Sequence, residues 1–286
     1  MSVYDAGPEP VFIKSSLVRV PVRLGQEAFT QGRISESTQK LLIHGMKSYY
    51  HFMMASKVVA YKGVGTSALR NSENGAEIIE RIRREANIEI RLITGGEEAE
   101  IIHTTQVANM IELNKNYLYV DVGGGSTELT LYSNGKQVRS MSFKIGTIRL
   151  MNDTISEDQW NMVSEWLSPI KEKYEDLTII GSGGNINKIF KLAYKKPEES
   201  LSMKYLYDQY EEMSNLSYEE RIFKYKLNAD RADVIVPATE IFIKIMEYSG
   251  AQEIFVPKIG LSDGLVRRVY SDYKKKKLKS LNILYP

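Results

Sequence analysis

Residues 116–132 read NYLYVDVGGGSTELTLY, an apolar run followed by three glycines and a second apolar run. The first run predicts a buried strand that delivers the carboxylate of Asp121 to its end, and residues 127–132 predict the returning strand. Glycines at 123–125 permit positive φ and let backbone N–H groups approach an anion closely. Amides for phosphate beside hard carboxylates for Mg²⁺ suit a phosphate-plus-metal site. A tight hairpin with a solvated Asp121 explains the same residues.

A similar arrangement recurs at 177–185, where an apolar strand ends in Gly181-Ser182-Gly183-Gly184 and a helix is predicted from Asn185. Free amides there would coincide with the positive end of a helix dipole, which favours anions. A simple strand-to-helix turn has the same composition, and a glycine-rich loop alone is a weak signal. Two such turns together predict a polyphosphate held in a cleft between two domains.

Length and composition narrow the class of protein. The 286 residues correspond to about two domains. A hydrophobic fraction of 43% and a charged fraction of 26% are those of an ordinary globular chain. The net charge of +2 provides no strong attraction to nucleic acid or membrane. The sequence has no cysteine, which excludes disulfides, a thiolate nucleophile, zinc knuckles and iron–sulfur clusters.

The sequence shows no membrane or export signal. No apolar run approaches the roughly 18 residues of a membrane helix. Residues 1–5 have neither the basic nor the apolar part of a secretory signal, so we expect a cytoplasmic protein. The basic run at 274–279 predicts a solvated helix end, with an anionic partner as the alternative.

Hydrophobic periodicity predicts an alternation of strands and helices. The predicted strands are 11–24, 57–65, 88–93, 117–122, 127–132, 137–144, 177–180 and 253–256. The predicted helices are 35–55, 75–87, 97–110, 156–175, one from 185, most of 202–248, and 261–270. The regular alternation over 57–110 favours a largely parallel sheet covered by helices in that part of the chain. We place a domain boundary near residue 115, which gives domains 1–115 and 116–286.

Two further polar segments follow predicted strands. The segment 66–70, TSALR, offers hydroxyls and a guanidinium that suit a phosphate chain, although a helix N-cap with a surface arginine is an equal alternative. Glu97 and Glu98 lie in the first turn of a predicted helix, where acids complement the dipole. Because they are adjacent, they point in different directions, and one can face a cleft as a general base for water. The three histidines are scattered and predict neither a metal site nor a Ser/His/Asp triad.

In their order along the chain these segments resemble the Ppx/GppA phosphatase family of exopolyphosphatases and guanosine pentaphosphate phosphohydrolases, within the actin/Hsp70/sugar-kinase superfamily. The resemblance extends from about residue 18 to 270. The segments that carry it are TSALR at 66–70, GEEA at 96–99, DVGGGSTE at 121–128, GSGGN at 181–185, RAD at 231–233 and GLSDG at 260–264. It implies an α/β fold of two RNase H-like (actin-like ATPase) domains, with mixed sheets flanked by helices and the active site in the cleft between the domains.

The resemblance also implies roles for individual residues. Glu98 would be the base that activates the attacking water, and Asp121 and Glu128 would hold or orient Mg²⁺, with Asp121 also part of the catalytic set. The implied phosphate ligands are the amides of Gly123, Gly124 and Ser126, the turn of Gly183, Gly184 and Asn185, and the side chains of Thr66 and Arg70. Water would attack the terminal phosphorus in line and release orthophosphate.

The sequence departs from the family pattern in two places. The first strand of the family and its Asp-Ile-Gly-Ser-Asn-Ser-like phosphate loop are not found. The segment 5–8 does not replace them, since no buried strand precedes it and Pro8 lacks an N–H. We therefore expect an N-terminal domain without that strand and loop, because either the numbering begins late or half of the phosphate grip has been lost. Asn185 stands where the family loop more often carries Thr, and its amide can still donate.

The activity implied by the resemblance is a Mg²⁺-dependent phosphohydrolase of inorganic polyphosphate or pppGpp, of the short, two-domain type. One alternative is a catalytically weak or inactive protein that binds the same ligands. Another is an ATPase or sugar kinase of the same superfamily. Apart from the substrate we expect no nucleic-acid or membrane partner. The tyrosines at 205–210 suit core packing, or a dimer face with a second copy of the chain.

Overall fold

The structure is a computed structural model, and it describes residues 1–284 apart from 6, 8, 103–114, 175, 258 and 259. The side chains of residue 99 and of 276–284 also lie outside the description. Its strands are β1 (Ser2–Tyr4), β2 (Val11–Ile13), β3 (Gly63–Gly65), β4 (Ile90–Leu92), β5 (Asn116–Val122), β6 (Thr127–Ser133), β7 (Lys136–Phe143), β8 (Leu177–Ser182), β9 (Ser200–Ser202) and β10 (Glu253–Phe255).

The described helices lie before, between and after these strands. They are α1 (Leu24–Thr30), α2 (Glu36–Ala55), α3 (Ser67–Asn71), α4 (Gly75–Ala86), α5 (Gly95–Ile102), α6 (Thr147–Met151), α7 (Glu157–Lys173), α8 (Gly184–Leu192), α9 (Met203–Ser214), α10 (Tyr218–Tyr225), α11 (Ala229–Ala232), α12 (Ile235–Ser249) and α13 (Leu261–Leu284). None of the described helices is long and apolar enough to cross a membrane.

The C-terminal half is built on a six-stranded mixed sheet of order β7-β6-β5-β8-β10-β9. The meander β5-β6-β7 is antiparallel, because the 123–125 turn and the Asn134-Gly135 turn reverse the chain. Strand β8 then pairs parallel with β5, and β10 with β8. In this register Asp121 lies opposite Glu128 on β6 and opposite Ser182 on β8. The register therefore places these three polar side chains together at the same end of three neighbouring strands.

Both faces of the central strands β5, β6 and β8 are buried. Leu118, Val120 and Leu129 alternate with polar or aromatic residues and pack, each 0% exposed, in one cluster with Trp166 of α7 and Phe242 of α12. Fully burying one such side chain contributes roughly 1.5–3 kcal/mol. The opposite face carries a smaller cluster of Tyr117, Tyr119, Tyr132 and Ile180, with Leu261 of α13 packed on it. Packing against these two clusters therefore fixes the positions of the ends of β5 and β6.

The N-terminal half has a separate core between α2 and α4, centred on Leu42, Ile78 and Ile82. Ser35 caps α2 as predicted, since its side chain accepts from the N–H of Thr38. Within the described residues the sheet of this half is the parallel pair β3-β4. The two separate hydrophobic cores, one in each half, agree with the prediction of two domains. The predicted boundary at 115 stays a prediction, because it adjoins residues 103–114, which are outside the description.

Strands β1 and β2 pair antiparallel with each other, and this N-terminal hairpin packs on α13. The rings of Phe12 and Tyr270 meet edge to face, with 5.5 Å between centroids. Lys14 Nζ lies 3.1 Å from Asp263 Oδ1. These contacts attach the start of the chain to its last described helix.

The prediction of a strand over 11–24 is wrong beyond Ile13, and α1 already begins at Leu24. The intervening segment has no strand partner among the described residues. Ion pairs hold it instead, from Arg19 to Asp230 and from Arg23 to Asp233. The strand predicted over 57–65 is confined to Gly63–Gly65, and the helix predicted over 261–270 continues to Leu284. The predicted helix 97–110 begins at Gly95, and its residues after 102 lie outside the description.

Candidate active site

Three carboxyl groups interact at one end of the central strands. They are Glu98 from the first turn of α5, Asp121 from the end of β5 and Glu128 from the start of β6. Burial, with the neighbouring charges of Glu128 and Asp121, raises the pKa of Glu98 to about 8. Burial, with the charge of Glu128, raises the pKa of Asp121 to about 7. Glu128 is 4% exposed, and burial raises its pKa as well. The three acids are therefore close enough to oppose one another's ionisation.

Hydroxyl groups hold two of these acids in place. Ser126 Oγ and Ser142 Oγ both donate to Oε1 of Glu128, at 2.7 Å and 2.9 Å. These bonds partly offset the effect of burial on the pKa of Glu128. The Ser182 hydroxyl, opposite Asp121 on β8, favours the ionised form of that acid and lowers its pKa.

Glu97 and Glu98 have different surroundings, as their adjacent positions predict. Glu97 accepts from Arg91 Nη1 at 2.8 Å and from the N–H of Thr94 at 3.1 Å. Its own N–H donates to Thr94 Oγ1, which completes a reciprocal cap at the start of α5. Glu97 is thus fixed as a structural cap, and Glu98 faces the other two acids.

Arg70 is the cation that the structure places beside this cluster. Its Nη1 donates to the carbonyl oxygen of Ile93 at the end of β4, at 2.6 Å. Its charge lowers the pKa of both Glu98 and Glu128. Thr66 precedes α3, and its carbonyl accepts the N–H of Arg70 at 3.0 Å, so the two predicted residues of the TSALR segment are joined across the single turn of this helix.

The glycine turn at 123–125 is less open than the sequence predicts. The N–H of Gly123 donates to the carbonyl of Ser126 at 2.9 Å, so the expectation that this amide is free for phosphate is wrong. A Cβ at Gly125 would overlap the ring of Phe29 from α1. The amide of Gly124 has no partner among the described residues, and Gly123 and Gly124 line a cavity of about 270 Å³. One side of the turn is therefore packed and the other faces a cavity.

The second turn is more open and remains suited to anions. Gly183 has φ +113°, and a Cβ there would lie 3.4 Å from Asp121 Oδ1, so this position favours glycine. Helix α8 then begins at Gly184 with no side-chain cap. The unpaired N–H groups of its first turn, which include that of Asn185, can receive an anion. Gly184 of this turn lines the 270 Å³ cavity and also a larger cavity of about 630 Å³, which reaches Asp121 and Ser182.

Three contributors were not predicted as site residues. Ser142 and Ser182 are found only through strand register, since each lies directly opposite an acid of the cluster. The Arg231 guanidinium packs on Gly184, with Nη2 2.7 Å from where a Cβ would stand, and it lines the 270 Å³ cavity. Arg231 belongs to the RAD segment of the family resemblance, but the resemblance implies no role for it.

The acids suit a hydrated divalent cation better than a fully protein-bound one. Within the described ranges no three His, Cys, Asp or Glu side chains stand close enough to enclose a metal ion. Asp121 and Glu128 nevertheless face each other across β5 and β6, and each carries a raised pKa that a nearby cation would relieve. Mg²⁺ commonly binds through one or two carboxylates and keeps several waters. The residues present therefore fit Mg²⁺.

Comparison with known proteins identifies the family of the chain. A model of the Ppx/GppA phosphatase family matches residues 16–271. The chain belongs to this family. The match contains every acid, glycine turn and arginine of the site described above, and it agrees with the extent that the sequence motifs imply.

Two curated Ppx/GppA relatives have different substrates in their names. Exopolyphosphatase 1 of Mycobacterium tuberculosis is 22% identical over 157 residues, which cover 53% of this chain and 46% of the relative. Guanosine-5'-triphosphate,3'-diphosphate pyrophosphatase of Aliivibrio fischeri is 26% identical over 226 residues, 71% of this chain and 43% of the relative. The chain thus spans less than half the length of either relative.

The fold is also that of the Ppx/GppA family. The crystal structure of the Aquifex aeolicus family member superposes with a TM-score of 0.67 at 26% identity, covering 89% of this chain and 87% of that one. The mixed sheet flanked by helices is therefore the predicted actin-like α/β architecture.

Proposed function

We propose that this protein is a phosphohydrolase that releases terminal orthophosphate from inorganic polyphosphate or from pppGpp. The observation that carries the proposal is the position of Glu98 beside Asp121 and Glu128, with Arg70 as their neighbouring cation. Membership of a phosphatase family and relatives named for both substrates support it.

The residues of the site suggest how the terminal phosphate is held. The uncapped start of α8 and the amide of Gly124 offer N–H donors to phosphate oxygens. The guanidinium groups of Arg70, beside the acids, and of Arg231, against Gly184, offer planar donors and positive charge. Mg²⁺ bound at Asp121 and Glu128 would neutralise charge on the phosphoryl oxygens. Positioning and charge neutralisation of this kind supply most of the catalysis in phosphoryl transfer.

Glu98 is the group suited to accept the proton. As the water oxygen bonds to the terminal phosphorus, the bond from that phosphorus to the bridging oxygen breaks, and a water proton passes to Glu98. The shortened chain leaves with its negative charge on the former bridging oxygen, where α8 amides and Arg231 stabilise it. Burial and the neighbouring acids raise the pKa of Glu98 to about 8, and a bound cation would lower that pKa again, so that an ionised carboxylate is available near neutral pH to accept the proton.

The test is phosphate release from polyphosphate and from pppGpp, measured side by side with and without Mg²⁺. Replacing Glu98 by Gln should lower kcat about 10²–10⁴-fold on the preferred substrate. Glu97→Gln is the matched control, because it changes the adjacent acid that caps α5, and its kcat should stay within about threefold of the unmodified protein. Full activity of Glu98→Gln would remove Glu98 from the mechanism.

One observation favours a second candidate, a protein that binds these ligands without hydrolysing them. The amide of Gly123 is engaged within its own turn, and Phe29 covers Gly125, so one phosphate loop offers fewer donors than the family pattern implies. Calorimetry that shows tight binding with no phosphate release over hours would favour this candidate. ATP-dependent phosphorylation of a sugar would instead indicate a kinase.

A further inference from the structure

The larger cavity, of about 630 Å³, extends well beyond the acid cluster. At one end it is lined by Asp121, Ser182 and Gly183. From there it follows α8 to a pair of basic residues, Lys191 and Lys195. We call this pair the basic rim. A substrate whose terminal phosphate lies at Asp121 would extend along this cavity towards the rim.

Helix geometry fixes the spacing between the turn and the rim. Asn187 and Lys191 are four residues apart on α8, so they lie on the same face, and both line the cavity. Lys191 follows Gly184 by seven residues, which corresponds to about 10 Å along the helix axis. The backbone of Lys191 therefore lies about two turns beyond the α8 N-terminus, which places the rim for a group further along the same ligand.

The basic rim is not neutralised by the protein. Lys191 and Lys195 are exposed, and neither makes an ion pair with a described carboxylate. Lys188, one turn before Lys191, has a pKa lowered by burial and by the like charges of Lys191, Arg231 and Lys226. Basic side chains thus crowd around α8. The cavity's other acid, Asp263, already pairs with Lys14 at 3.1 Å.

The chemistry of the rim points to an anionic ligand. Phe190 is the aromatic residue that lines this cavity within the described part of the chain, and at 6% exposure it offers little ring surface for stacking. Two exposed ammonium groups bind phosphate oxygens well. We propose that Lys191 and Lys195 form a distal subsite for phosphate groups remote from the one that is hydrolysed. This inference rests on the proposed function. Its ligand has two sources, the interior phosphates of a polyphosphate chain or the 3'-diphosphate of pppGpp.

The experiment compares two pairs of ligands that differ in the distal phosphates alone. The pairs are long-chain polyphosphate against tripolyphosphate, and pppGpp against GTP. Dissociation constants are measured by calorimetry with Mg²⁺ in the Glu98→Gln background, to prevent turnover. The test variant is Lys191→Gln with Lys195→Gln. The control is Lys204→Gln with Lys224→Gln, which removes the same charge from lysines that pair with Asp208 and Glu212 away from this cavity.

We expect the test variant to bind one of the two longer ligands about tenfold more weakly, and its short counterpart within about twofold of the reference. A loss confined to long-chain polyphosphate assigns the subsite to a polyphosphate chain, and a loss confined to pppGpp assigns it to the 3'-diphosphate. The inference is overturned if all four ligands bind as before, if the short ligands weaken as much as the long ones, or if the control variant shows the same loss.

This outcome is separable from that of the proposed function. The subsite is judged on dissociation constants, and the function on phosphate released by the unmodified protein. Binding that distinguishes ligand length and is lost in the test variant, without hydrolysis, would establish the subsite and overturn the function. Hydrolysis by the unmodified protein, with unchanged dissociation constants in the test variant, would support the function and overturn the subsite.

Discussion

The Ser142 hydroxyl on β7 donates to Oε1 of Glu128 on β6 at 2.9 Å, beside the acid cluster. This bond favours the ionised form of an acid whose pKa burial raises. Ser142→Ala should therefore raise the pKa of Glu128 and weaken Mg²⁺ binding, with a cost of about 1 kcal/mol. The expected result is a roughly fivefold higher Mg²⁺ concentration for half-maximal phosphate release.

The matched control for this prediction is Ser140→Ala. Ser140 lies two residues away on the same face of β7 and pairs with Thr130 Oγ1 at 2.9 Å, without touching an acid. It should leave the Mg²⁺ requirement unchanged. Equal effects of the two substitutions would show that the strand, and not the bond to Glu128, sets the metal requirement.

Asp121 is expected to reduce stability when it ionises. Its folded-state pKa of about 7 lies above its ordinary value of 3.8, so its contribution to stability is complete below 3.8 and is lost as pH rises through 7. Asp121→Asn should consequently unfold at a higher temperature than the unmodified protein at pH 8 without Mg²⁺, with a gain on the order of 1 kcal/mol. At pH 4 the difference should disappear. Thermal unfolding monitored by circular dichroism at both pH values measures this.

Asp208→Asn serves as the control for that measurement, since Asp208 is an exposed acid on α9 paired with Lys204 at 2.9 Å. It should change the unfolding temperature little at either pH. Adding Mg²⁺ at pH 8 should stabilise the unmodified protein more than Asp121→Asn. A destabilised Asp121→Asn at pH 8 would contradict the assigned direction of the pKa shift.

Arg70 is predicted to set the pH range of activity. Its charge lowers the pKa of Glu98 and Glu128, so Arg70→Gln should raise both. The acid side of the kcat/KM profile should then move to higher pH by about 1 unit. Arg91→Gln removes an equal charge that pairs with Glu97 instead, and its profile should not move. Superimposable profiles for Arg70→Gln and the unmodified protein would separate Arg70 from the acids.

Gly125→Ala should destabilise the fold through Phe29. The new Cβ would overlap the Phe29 ring, which Arg149 covers on another side at 4.8 Å from its centroid. Forcing extra atoms into such packing costs roughly 1–3 kcal/mol. Urea unfolding of Gly125→Ala, Phe29→Ala and the double variant should show less than additive losses. Gly96→Ala, where a Cβ meets only Thr94 Oγ1 at 3.8 Å, should not lower stability.

Local patterns predicted the elements that place the site. The apolar run before Asp121 and the glycines after it correspond to β5 and its turn, and Ser35 marks the start of α2. These features follow from side-chain period and turn chemistry, which are local. The nearness of Glu98 to Asp121 was implied by the family resemblance, because no local rule brings α5 to the end of β5.

Other features depend on contacts that no local pattern contains. Ser142 has the same alternating signal as a serine facing solvent, and its role follows from the register with β6. Phe29 covers a turn almost a hundred residues later in the chain. The β-branched residues of 14–23 favour a strand, but no described strand pairs with the segment, and the ion pairs of Arg19 and Arg23 hold it instead. Tertiary partners decided each case.

The ring of Phe29 at Gly125 makes the two halves of the molecule mechanically dependent. Helix α1 belongs to the N-terminal half, and the turn it covers belongs to the C-terminal sheet. Any hinge motion that separates the halves must withdraw this ring and uncover Gly125. A change in the position of α1 would therefore change the surroundings of the 123–125 turn.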